Sequence, residues 1–155
     1  NETISLTGFA HYALGQTVNL EKAMQPVSRL GGHLVSGHVD GLGEILNFYQ
    51  EGRAWRYEVS CPQSLLKYIA NKGSVTIDGV SLTVTGLSDH SFVLNIVPHT
   101  ISETRIQTYK VGDKIHIEVD LMARYAERLL TFSASSNTEK STLDQSFLAE
   151  HGFLK

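Results

Sequence analysis

The sequence predicts an all-β fold, a small closed barrel of short strands with short helices at its margins. Three observations predict it. Short apolar segments with strand-like alternation follow one another between residues 35 and 119, separated by turn residues. Only one brief helical pattern interrupts them before residue 100. The chain has 155 residues, 41% of them hydrophobic, enough to bury one core. Short strands of this kind avoid open edges by closing on themselves.

Residues 35–48 and 54–61 read as two strands around the polar turn Gln50-Glu51-Gly52-Arg53. Ala54 to Val59 alternates as a half-buried strand does. Pro62 suits the first turn of a helix, with Leu65, Leu66 and Ile69 on one face and Gly73 as its stop. Residues 74–78, 80–86 and 91–97 are further strands, the last two joined through Ser88-Asp89-His90. Residues 100–108 suggest a short helical turn. Val111-Gly112-Asp113 makes a tight turn before a strand over 114–119. Residues 121–130 fit a helix, 133–141 read as a polar linker, and Thr142-Leu143-Asp144-Gln145 offers a capping box for a last helix through His151. Leu143, Phe147 and Leu148 place an apolar stripe on that last helix.

An internal repeat bears on domain organisation. Laying residues 2–21 over residues 99–118 pairs Thr3 with Thr100, Ile4 with Ile101, Ser5 with Ser102 and Thr7 with Thr104. Tyr12, Gly15 and Glu21 then meet Tyr109, Gly112 and Glu118 without a gap. The second copy is preceded by about seventy residues of strand-rich sequence that the first copy lacks. The expectation is therefore the tail of one domain at residues 1–25, a complete domain at 26–125, and a linker with a C-terminal helix at 126–155.

The net charge of −3, with no run of like charges, lacks the footprint of a nucleic-acid partner. No apolar stretch approaches the ~20 residues that a membrane-spanning helix needs, and the first residues lack a signal-peptide pattern. Cys61 is the only cysteine, so these residues cannot form an intrachain disulfide. A cytoplasmic protein is the simplest account. No activating motif surrounds Cys61, which reads as a small core residue rather than a nucleophile.

Two stretches concentrate chemistry-bearing residues. The run GGHLVSGHVDG, residues 31–41, mixes glycines with His33, Ser36, His38 and Asp40. Glycine at such density belongs where a backbone turns sharply or approaches another group closely. His33 and His38 are five apart, on opposite faces of a strand and about 140° apart on a helix, which argues against a shared metal. In the second stretch, Ser81, Thr83 and Thr85 share one side of an extended segment, and Val80, Leu82 and Val84 share the other. One face can fill a barrel while the other presents hydroxyls, which both donate and accept hydrogen bonds to a flat polar heterocycle. Taken singly, the first run is equally a glycine-rich turn and the second an ordinary threonine-rich strand.

Together, GGHLVSGHVDG, DGVSLTV (residues 78–84) and VPHTISET (residues 97–104) resemble, in that order, the second lumazine-binding barrel of the riboflavin synthase family. The resemblance covers nearly the whole chain, including the ending SFLAEHGFLK. It implies a six-stranded Greek-key barrel, with residues 1–25 matching the tail of a first such barrel whose earlier strands are not in the sequence. It further implies a homotrimer assembled partly through the C-terminal helix. The implied reaction is the dismutation of two molecules of 6,7-dimethyl-8-ribityllumazine, by transfer of a four-carbon unit, to riboflavin and 5-amino-6-ribitylamino-uracil. No external cofactor and no metal is expected, because the substrate ring is its own electron sink.

By the same resemblance, the substrate-contacting positions are Gly37, His38, Val39, Lys72, Ser81, Leu82, Thr83, Ile96, Val97, Pro98, His99, Thr100 and Ile101. Asn1, Glu2, Thr3 and Ile4 fall at the corresponding stretch of the first barrel. The chemistry removes a proton from a methyl group, stabilises the anion and adds a nucleophile to the second ring. His38, Ser81 and Asp120 are the candidates for that work, histidine as a residue type moving protons near neutral pH. Lys72 can favour a negative ring electrostatically. Each also has a plain structural reading: His38 in a turn, Asp120 as a helix N-cap, Lys72 as a solvated lysine. His33, His90, His116 and His151 read as structural or solvated. In the family the reaction centre lies between the first barrel of one subunit and the second of its neighbour, so these residues alone are expected to bind one lumazine and turn over weakly or not at all. The alternative class is a non-catalytic lumazine-binding antenna protein. A flavoprotein-reductase barrel would need a following nucleotide domain, which these residues do not contain.

Overall fold

In the computed structural model, which describes residues 2–136 and 152, the strand segments form six antiparallel strands. A short helix α1 (Glu2–Leu6) and a 3-10 turn (Phe9–His11) precede them. Strand β1 (Gly41–Glu51) turns through Gly52, at φ +62°, into β2 (Ala54–Ser60). Pro62 then caps a single helical turn, α2 (Gln63–Leu66). Strands β3 (Ser74–Ile77) and β4 (Val80–Leu87) form a two-residue hairpin, and β5 (Ser91–Ile96) follows. Next come α3 (Pro98–Glu103), with proline in its first turn, and a 3-10 turn (Arg105–Thr108). Strand β6 (Lys114–Val119) ends the barrel, and α4 (Leu121–Ser136) follows it.

The strands close in the order β1-β2-β5-β4-β3-β6, a Greek-key path in which β6 pairs with both β1 and β3. Alternation decides which side chains face inward. Ile45, Tyr57, Val59, Ile77, Leu82, Leu94 and Ile96 fill the interior and leave no water-sized space among them. Tyr57 stacks on Phe48 with ring centroids 5.1 Å apart. Cys61 lies in this core, and burial pushes its thiol pKa up to about 11, which suits packing and not nucleophilic attack. The barrel is thus a solid scaffold.

Two expectations from the sequence shift. Residues 35–40 do not extend β1. The backbone N–H groups of Ser36 and Gly37 donate to the Glu118 carboxylate, so a side chain takes the place of the strand ladder there, and only Asp40, next to β1, donates its N–H to a β6 carbonyl, Ile117 O. The polar residues 133–136 continue α4 instead of starting a linker. Thr131 and Ser133 donate their hydroxyls back to the carbonyls of Glu127 and Leu129, which removes the competition polar side chains otherwise offer a helix. The capping box at 142–145, the apolar stripe and His151 lie outside the described residues. The chain divides into a unit through Ala123 and a second beginning at Arg124. On α4, Tyr125, Leu129, Leu130 and Phe132 are exposed.

The pairs matched between residues 2–21 and 99–118 carry the same bonds. Thr7 Oγ1 donates to Thr3 O at 2.6 Å, and Thr104 Oγ1 to Thr100 O at 2.7 Å. Ser5 and Ser102 donate to Glu2 O and His99 O, and Phe9 N and Ile106 N donate to the two threonine hydroxyls. Gly15 and Gly112 both take positive φ. Burial differs: Ile117 is fully buried in β6, whereas its counterpart Leu20 is 90% exposed.

Residues 8–19 dock on the barrel through β6 and the β3–β4 turn. Gly8 N donates to His116 Nε2 at 2.8 Å, and the Phe9 and Tyr12 rings pack against the imidazole. The proton of the neutral ring therefore sits on Nδ1, 3.3 Å from Asp78 Oδ1. Asn19 adds a two-sided clamp, its amide donating to Asp78 O and accepting from Arg105 N.

Burial, seconded by the Arg105 charge, lowers the His116 pKa from its ordinary 6.5, against the opposing pull of Asp78. A lowered folded pKa gives stability that is complete above pH 6.5 and is lost as pH falls through the folded value. Thermal melts between pH 7.5 and 5 are expected to fall more steeply for the wild-type chain than for His116→Gln, and equal slopes would refute this. Gly43 has no room for a side chain: a Cβ there would lie 2.5 Å from Ser60 O and 2.7 Å from Ile117 Cδ1. Gly43→Ala is expected to cost about 1–3 kcal/mol in denaturant unfolding, the range of overpacked cores.

Candidate functional site

A solid interior leaves the outer face for ligand binding, and the β3–β4 hairpin arms that face. Asp78 and Gly79 both take positive φ, +43° and +83°, the type I′ geometry that fits a two-residue hairpin. This turn sets the register: Thr76 lies opposite Ser81 and Ser74 opposite Thr83. All four hydroxyls therefore share the outer face, next to one another. The sequence reading identified Ser81 and Thr83 and missed Ser74 and Thr76. The Asp-Gly turn was the signal that could have found them.

Across this face lies the glycine-rich segment. The His33 imidazole bridges the hairpin, with Nδ1 2.8 Å from Ser81 Oγ and Nε2 3.0 Å from Thr76 Oγ1. His33 N also donates to Ser81 Oγ at 3.2 Å. The approach is close enough that a Cβ built on Gly32 would overlap Ser81 Oγ and come within 2.6 Å of Ser81 Cβ. Glycine density in the run thus serves a backbone-to-strand contact, and the His33 ring braces β3 against β4.

The other expected positions divide between this face and elsewhere. Thr83 is exposed on β4. Lys72 is exposed in the turn before β3, at φ +64°, and its N–H donates to Val84 O at 2.8 Å, which anchors it beside the hydroxyl face. The antiparallel pairing of Val84 with Leu94 carries the end of β5 towards the start of β4, so Val97, Pro98 and His99 emerge near Ser81, all exposed. Thr100 and Ile101 are half-buried on α3. The side chains of Leu82 and Ile96 point into the core, so what they offer outward is backbone. Gly37 turns at φ +79°, His38 is exposed and Val39 half-buried.

Asp120 accepts Met122 N at its Oδ1, 2.9 Å away, and so acts as the N-cap of α4. Glu2, Thr3 and Ile4 are exposed on α1, and the bonds that follow them lead to His116 instead of Ser81. Asn1 lies outside the described residues. Among the described residues no cluster of three or more His, Cys, Asp or Glu side chains could hold a metal ion. No described helix is long and apolar enough to cross a membrane.

Residues 36–120 match the model of the lumazine binding domain family. A riboflavin synthase of Photobacterium phosphoreum is 49% identical over 153 residues, 99% of this chain and 70% of that protein. The chain belongs to the riboflavin synthase family. A second family member, riboflavin synthase of Bacillus subtilis strain 168, is 41% identical over 98% of the chain and 70% of its own length. Among solved structures, LumP complexed with 6,7-dimethyl-8-(1'-D-ribityl)lumazine superposes with a TM-score of 0.68 at 23% identity, over 77% of this chain and 63% of that one. LumP complexed with riboflavin gives 0.68 at 25% identity, over 77% and 65%. The chain therefore spans a little under two thirds of these solved chains.

Gly32→Ala is expected to push the loop off β4, break the His33–Ser81 contact and cost about 1–2 kcal/mol, within the usual span for a steric substitution. Imidazole ring signals in NMR check it: unchanged His33 shifts in the variant would refute the contact.

Proposed function

We propose that this chain binds 6,7-dimethyl-8-ribityllumazine on the outer face formed by β4, the start of α3 and residues 37–39, and that its protein acts as a riboflavin synthase. The observation that carries the reading is 49% identity to a riboflavin synthase across 99% of the chain. The hydroxyl face at Ser81 and Thr83 gives it a physical basis, since a lumazine edge of carbonyls and ring nitrogens needs partners that donate and accept. Lys72 stands where it can favour negative charge on the ring.

The reaction is the transfer of a four-carbon unit from one lumazine to a second, giving riboflavin and 5-amino-6-ribitylamino-uracil. Holding two rings face to face supplies much of the rate of such a step. His38, exposed on the 37–39 segment, is the group assigned to proton transfer, and Ser81 steadies the ring. Asp120 is the third candidate; its Oδ1 caps α4, as Ser81 Oγ is bonded to His33. Turnover needs a second lumazine site, for which Glu2–Ile4 are the candidate residues and a neighbouring subunit of a homotrimer the candidate source. A cytoplasmic setting fits a chain with one buried cysteine.

A second reading, a lumazine-holding antenna protein, draws on the likeness to LumP. The higher identity to synthases favours the enzyme. Mixing the purified chain with 6,7-dimethyl-8-ribityllumazine while following fluorescence and riboflavin formation separates the two. Binding is expected, weakened about tenfold by Ser81→Ala or Thr83→Ala, the worth of one well-made hydrogen bond. Riboflavin formation would favour the enzyme, and binding without turnover, by this chain and by any longer form of the protein, would favour the antenna. No binding at all would overturn the proposal.

A further inference from the structure

Strand β6 places two polar side chains, His116 and Glu118, on its outer face between the core residues Ile115, Ile117 and Val119. Both are nevertheless buried, Glu118 to 6% exposure. His116 is covered by the N-terminal segment, and Glu118 by the glycine-rich loop. A buried carboxylate is costly unless donors surround it. Here the loop supplies them: Ser36 N at 2.7 Å and Ser36 Oγ at 2.8 Å on Oε1, and Gly37 N at 3.1 Å on Oε2. A carboxylate only accepts, and this loop presents three donors to it.

We propose that Glu118 is a positioning residue for ligand binding: its carboxylate clasps Ser36 and Gly37 so that Gly37-His38-Val39 is held at the lumazine face. The inference rests on the binding reading above and assigns a residue that the sequence did not single out. The geometry has two anchors. Glu118 fixes the loop before His38. After Val39, Asp40 N donates to Ile117 O and Asp40 Oδ2 accepts from Val119 N, both at 2.8 Å. His38 and Val39 are thus suspended between two points on one strand, and the left-handed turn at Gly37 lets its N–H aim at Oε2 while the chain reverses. Removing the first anchor frees the segment that carries His38 without touching the core.

The test titrates 6,7-dimethyl-8-ribityllumazine fluorescence against the wild-type chain, Glu118→Gln, Ser36→Ala, the double variant and Ser81→Ala. Glutamine keeps the volume but turns an amide donor towards loop donors. We expect a Kd about tenfold higher for Glu118→Gln and about threefold higher for Ser36→Ala. The double variant is expected to match Glu118→Gln alone, because both changes break one clasp. The His38 ring signals are expected to move while those of His116 stay, which general loosening of the fold would not produce. Wild-type affinity in Glu118→Gln alongside a weakened Ser81→Ala would overturn the clasp and leave the binding reading standing. No binding by the wild-type chain would overturn both. Should Glu118→Gln fail to fold, Ser36→Ala decides, and an unchanged Kd there refutes the clasp.

Discussion

The Asp78 carboxylate is the interaction on which most of this structure depends. Its Oδ1 accepts His116 N at 2.8 Å, and its Oδ2 accepts the Tyr109 hydroxyl at 2.6 Å. Arg105 stands 3.6 Å from Oδ2 and lies over the Tyr109 ring. Burial and the neighbouring carboxylate raise the Tyr109 pKa, so that phenol keeps its proton and remains a donor. The same residue occupies a left-handed position in the β3–β4 turn. One side chain therefore ties the hairpin to β6, where the barrel closes, and holds the turn that sets the hairpin register. Losing one partner of such a buried network costs far more than its net worth as an interaction, because a charge is left without donors.

From that closure follows a division of labour between inner and outer faces. The inner face is filled by aliphatic and aromatic side chains and does no binding. The outer faces of β3, β4 and β6 carry hydroxyls, an imidazole and a carboxylate, most of them covered by a segment outside the barrel. Residues 8–19 cover His116, residues 31–37 cover Glu118 and bridge Ser81 to Thr76, and α3 begins beside Ser81. The lumazine site proposed for this family member lies where the cover stops, at Thr83, Lys72 and His38, which are exposed. A polar strand face that is partly covered keeps its backbone rigid while leaving a few groups for a ligand, which is what preorganised recognition needs.

Much of this was legible in the residues. Short apolar runs between turn residues located the strands of the barrel, the polar turns at 50–53 and 88–90 separated two pairs of them, and three short motifs pointed to the family. What escaped were contacts between residues far apart in sequence: His33 with Ser81, Ser36 with Glu118 and Gly8 with His116 are separated by 48, 82 and 108 positions. No local pattern encodes such a pair. The early start expected for β1 failed for the same reason, since residues 35–40 look strand-like until the distant Glu118 carboxylate takes the N–H groups of Ser36 and Gly37. The helix end expected near residue 130 failed for the opposite reason: residues 133–141 read as a polar linker, but the Thr131 and Ser133 hydroxyls bond back to their own helix.

The sequence by itself determined the barrel class, the approximate strand and turn positions and the hydroxyl-bearing face of β4, because these rest on side-chain period and local turn chemistry, while three short motifs carried the resemblance to the family. Only the tertiary structure decided that the interior is solid, that His33, His116 and Glu118 serve as braces, and that Asp120 spends its Oδ1 on a helix cap. The braces depend on which buried polar group finds a partner across the barrel, and burial itself exists only once β6 has closed the sheet; the Asp120 cap is a local bond to Met122 N that forms with α4.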